Sequence, residues 1–83
     1  MSIFATIAVV CTMATCSDYV IDTAKTVSDA NVNTHTQSEV FNTVWEDEQN
    51  LTNWLTKHQI GETVFEIVSL ELETREITED MTP

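Results

Sequence analysis

The sequence predicts an α+β fold in the order ββαβ: a three-stranded antiparallel sheet with one long amphipathic helix packed on a face. Three observations carry that expectation. Two β-branched segments lie close together near the start, on either side of residues 12–15. Apolar residues then recur at helical spacing from Val40 to Leu55, and an apolar–acidic alternation follows the lone glycine, Gly61.

The first element is a hairpin over residues 2–24. Ile3, Ala5, Ile7, Val9 and Cys11 share one face at period two, and Phe4, Thr6, Ala8, Val10 and Thr12 share the other. A strand apolar on both faces belongs in the centre of a sheet. Tyr19-Val20-Ile21, set between Asp18 and Asp22, is the second strand. Thr12 to Thr15 connects them without Gly or Pro, so the turn signal is weak. The same stretch has a competing reading as a secretion or lipoprotein signal, because Ile3–Val10 is apolar and Met13-Ala14-Thr15-Cys16 loosely resembles a cleavage box. A signal needs a basic n-region, and no Lys or Arg precedes Lys25. The run also falls short of the ~20 apolar residues of a membrane span. The expectation is therefore a hairpin within a mature chain that keeps all 83 residues. A hairpin puts Cys11 and Cys16 nearly opposite each other, where a disulfide is feasible. In a cytosolic chain with two cysteines, reduced and partly buried thiols are the favoured expectation.

Residues 27–37, "VSDANVNTHTQ", are polar and read as a loop or loose helical turn. Ser38 then caps a helix over 39–59 whose stripe is Val40, Phe41, Val44, Trp45, Leu51, Trp54 and Leu55. Lys57 and His58 fit its last turn and Gly61 its terminator. The stripe is interrupted by Glu46-Asp47-Glu48, read either as a solvated outer face or as part of a binding surface. Trp45 and Trp54 flank that turn as core residues, with a partly exposed Trp suited to anchoring an interface. His35 and His58 are expected on exposed helix positions, without metal-ligand spacing. A strand over 63–76 closes the sheet; Val64, Val68, Leu70 and Leu72 compete with Phe65 and Ile67 for the inner face, which implies burial on both faces or a bulge near Ser69. Residues 78–83 are expected to form a frayed acidic tail.

Function classes narrow on charge and size. Fourteen acidic residues face three basic ones (Lys25, Lys57, Arg75), a net charge of −11. That field repels nucleic acid and acidic membranes, so direct partners of either kind are not expected. It either only keeps the chain soluble or imitates a polyanion. A chain of this length hides roughly 60–65% of its unfolded surface, a small core that favours a partner or a homodimer. No Gly-rich phosphate loop, nucleophile elbow or metal cluster occurs, so neither an enzyme nor a cofactor is expected.

Residues 4–22, "FATIAVVCTMATCSDYVID", resemble the start of an uncharacterised family of short proteins from enterobacterial genomes and their lambda-like prophages. There too an apolar strand with a Cys leads through a short loop to a second Cys, an acidic residue and a β-branched strand. Under a quarter of the chain is covered, and a further Cys of that family is replaced here by the Asp29-Ala30-Asn31 region. The resemblance implies a phage or prophage origin and cytoplasmic residence in a host cell, and assigns no site. Acidity, size and this resemblance together lead to the expectation of a non-catalytic inhibitor. Its partner would be a host protein with a basic surface, such as a nucleic-acid-handling defence or repair enzyme, and the chain resembles anti-CRISPR and anti-restriction proteins in character. The expected contact residues are Glu46, Asp47, Glu48, Glu71, Glu73 and Glu76. The alternative is a small assembly module that acts as a homodimer.

Overall fold

A computed structural model describes residues 2–78. The order is β1 (Ser2–Thr12), β2 (Cys16–Ala24), α1 (Val27–Val44), α2 (Glu48–Lys57) and β3 (Ile67–Thr78). The three strands form one antiparallel sheet in the order β2-β1-β3, with both helices on one side. The α+β class and the central β1 are as expected, but the order is ββααβ. The expected tail lies outside the described residues from position 79 onward, and Thr78 closes β3 opposite Ser2.

The hairpin turns without Gly because a hydroxyl does the turning. Thr12 N–H donates to the Thr15 carbonyl at 2.8 Å, and the Thr12 hydroxyl accepts from the backbone N–H groups of Ala14 and Thr15 at 3.2 and 3.3 Å. Cys11 pairs with Cys16 across the strands, and the two are joined as a disulfide. This corrects the expectation of two reduced thiols: directly opposed positions at a hairpin end bring the sulfurs within bonding reach.

Residues 27–37 are regular α-helix, which corrects the expected loop or loose helical turn. Thr26 caps the helix, its hydroxyl accepting from Asp29 N–H at 3.1 Å. Ala30 is buried, and Thr34 sits between strands: its hydroxyl is 2.8 Å from that of Thr6 on β1 and 2.8 Å from that of Thr74 on β3. The sheet supplies what the helix sequence lacks. The long helix over 39–59 is also corrected, because the chain breaks at Trp45–Asp47. Asp47 is extended, and its carboxylate accepts from Asn50 N–H at 2.9 Å to start α2. The gap in the apolar stripe is thus a corner and not the outer face of one helix.

Gln59, not Gly61, ends α2. Its φ of 60° is left-handed, and the end closes with Gln59 N–H on the Thr56 carbonyl (3.1 Å) and Ile60 N–H on that of Leu55 (2.9 Å). This pair of hydrogen bonds satisfies the Thr56 and Leu55 carbonyls and folds Ile60 back into the core. The final strand starts at Ile67, four residues later than expected, because residues 63–66 turn instead. Its pairing shifts between Cys11 and Thr12, leaving Val68 as the extra residue of a bulge one position before Ser69.

The core lies between sheet and helices. Ala8 and Val10 of β1 pack with Trp54, Leu55 and Ile60, and Tyr19, Ile21, Phe41, Leu70 and Leu72 surround them. Phe41 meets Trp54 edge-on at 5.2 Å. Trp54 is therefore core, while Trp45 at the corner is half in solvent.

Candidate functional site

Among the described residues, the opposite face of the sheet carries no layer. Residues of β1 alternate, so Ile7 and Val9 face away from the side where Ala8 and Val10 meet the helices. Their cross-strand neighbours share that open face: Asp18 and Glu71 beside Val9, Val20 and Glu73 beside Ile7, and Thr23 and Arg75 beside Ala5. Ile7 is nonetheless only 3% exposed. Arg75 spans this face from β3 to β2. Its Nη1 donates to Asp18 Oδ2 at 2.7 Å, and its Nε and Nη2 donate to Glu73 Oε2 at 3.1 and 2.8 Å. The guanidinium thus joins an acid of β2 to an acid of its own strand. Asp18 first and then Glu73 push the Arg75 pKa further up, so the strap stays charged.

The six expected contact residues do not form one surface. Glu46, Asp47 and Glu48 stand together at the exposed α1–α2 corner, in the helical layer. Glu71 and Glu73 are exposed on the open sheet face, and Glu73 is already engaged by Arg75. Glu76 lies opposite Phe4, on the helix side of the sheet. Asp18 joins Glu71 and Glu73 and was missed. Only the register of two strands against β1 places it there, although its position between Ser17 and Tyr19 on a hairpin strand was visible.

The remaining polar contacts brace the fold. Tyr19 Oη donates to both Glu62 oxygens at 2.5 and 3.0 Å, tying the segment after α2 to β2. That hydrogen bond to a carboxylate, aided by burial, pushes the Tyr19 phenol pKa up. His58 is half-buried and not exposed as expected: its ring lies 4.6 Å from that of Trp54, and burial lowers its pKa. Its Nε2 and Trp54 Nε1 are buried without a hydrogen-bond partner among the described residues. Among the described residues no group of three or more His, Cys, Asp or Glu side chains converges as a metal site, and no helix is long and apolar enough to cross a membrane.

No family model matches the chain, and neither a curated protein nor a solved structure matches it. Its chemistry must be taken from its own surface. The open face offers carboxylates on a sheet around a short apolar strip.

Proposed function

We propose that this protein is a non-catalytic inhibitor that binds a basic protein surface through the acidic, uncovered face of its sheet. The observation that carries the reading is the placement of Asp18, Glu71 and Glu73 on that face with Arg75 alone to offset them, in a chain of net charge −11. Carboxylates held along strands replace phosphates in a basic groove, as a nucleic-acid-handling defence or repair enzyme would present. The resemblance of residues 4–22 to prophage proteins supports a phage-type role. The acidic corner at Glu46–Glu48 belongs to a different layer and serves as a second, independent contact.

The test is recovery of a partner from bacterial lysate on the immobilised protein. Wild type should retain a protein at low salt and release it as salt rises, because a Debye length of ~10 Å at 0.1 M screens exposed charge. Glu71→Lys, at an exposed position, should lose that protein. A lysate that yields no salt-sensitive partner overturns the proposal.

A second reading, an assembly module acting as a homodimer, is favoured by one observation: Met13, Phe65 and Val68 are large apolar side chains left in solvent at one end of the molecule.

A further inference from the structure

Phe65 is the most informative exposed residue. It is 83% exposed, yet the turn that carries it is tightly held. Glu66 N–H donates to the Thr63 carbonyl at 3.0 Å, while Glu66 Oε1 accepts from the Thr63 backbone N–H and hydroxyl, each at 3.0 Å. A turn locked from both directions displays its aromatic ring; it does not merely fail to bury it. On one side of Phe65 is a groove of about 370 Å³ lined by Leu55, Thr56, Ile60 and Val64. On the other, Phe65 shares a shallow depression with Met13 (91% exposed) and Val68 (59% exposed).

We propose that a second copy of this chain docks on this end about a two-fold axis, with Phe65 of each copy seated in the groove of the other. The inference rests on the homodimer reading above and names its surface. A knob beside a hole on one chain is what an isologous contact requires, since both are then used twice and the assembly closes. The area is of the right order: Met13, Phe65 and Val68 expose on the order of 400 Å² per copy, so full cover of both sets would bury roughly 800 Å², to which the groove walls add, against the ~1,000 Å² of a specific interface. The carboxylates at this end are held in place, and one cation stands close by in sequence. Glu62 is bound by Tyr19 and Glu66 by Thr63, and Lys57 stands next to the groove residue Thr56, outside any ion pair among the described residues. The remaining net charge of each copy still repels the other, so salt should tighten the dimer, opposite to its effect on a basic partner.

Sedimentation velocity over a concentration series, without reductant and at low and high salt, tests this. Wild type should shift from monomer to dimer with concentration, more readily at high salt. Phe65→Asp and, independently, Met13→Asp should weaken association at least tenfold while circular dichroism stays native. Val20→Asp, at an exposed position on the open sheet face, should associate like wild type. Folded Phe65→Asp and Met13→Asp proteins that dimerise like wild type, or equal weakening by Val20→Asp, overturn the surface and leave the homodimer reading standing. A wild type that stays monomeric at every concentration overturns both.

Discussion

Replacing Thr34 by Val should destabilise the protein by about 1–3 kcal/mol, and replacing Thr6 and Thr74 as well should restore most of the loss. Thr34 is the middle member of a hydroxyl chain, 2.8 Å from Thr6 and 2.8 Å from Thr74, that ties α1 to two strands. Thr6 is 1% exposed, so its hydroxyl cannot turn to water when Thr34 is removed. The single change leaves that group desolvated and unpaired, which costs the full penalty of a buried polar atom. Val matches Thr in shape and in helix propensity, so neither packing nor local preference masks the effect. In the triple Val variant no hydroxyl remains to be stranded, and added apolar burial offsets the lost bonds. Urea denaturation followed by circular dichroism reads the difference, with the midpoint of Thr34→Val falling by roughly 1 M for a chain of this size. A single variant as stable as wild type, or a triple variant no better than the single, would refute the role given to the hydroxyl chain.

Gln59→Gly should raise stability by about 0.5–1 kcal/mol, since φ is 60° there and Gly occupies that region without a Cβ penalty; an unchanged melting curve would contradict it. Reducing the Cys11–Cys16 bond should cost ~2 kcal/mol, because the closed loop is short, and the helical circular dichroism signal should survive in dithiothreitol. Stability should also rise with pH in the region below the ordinary histidine value of 6.5. The pKa of His58 is lowered in the fold, first by burial and then by Lys57, with Asp22 opposing, so below 6.5 the unfolded chain binds the proton that the folded chain refuses. His58→Phe should flatten that part of the profile relative to wild type, and an unchanged slope assigns it to other groups.

The strands were legible because their evidence is local. Period-two alternation with both faces of β1 apolar places that strand centrally whatever the rest of the chain does. Trp54 and Leu55 were legible as core for the same reason, through helical spacing. The polar stretch before them was not. "VSDANVNTHTQ" becomes a helix because Thr26 caps it and Thr34 bonds Thr6 and Thr74 of the sheet, and those two partners lie 28 and 40 positions away. The acidic turn misled for a different reason: Asp47 followed by Asn50 is equally a stretch of outer helix face and the start of a new helix, and packing of α2 chose the second.

By itself, then, the sequence determined the sheet order's central strand, the hairpin, the amphipathic stripe and the net charge, all of which follow from neighbours within a turn or a strand. Tertiary structure alone decided where the charges stand. Arg75 meets Asp18 across 57 positions of chain, and Glu73 faces the open side because its strand registers with Ile7. In a strand a one-residue slip moves every side chain to the opposite face, so a list of acids cannot say which of them share a surface until the register is known.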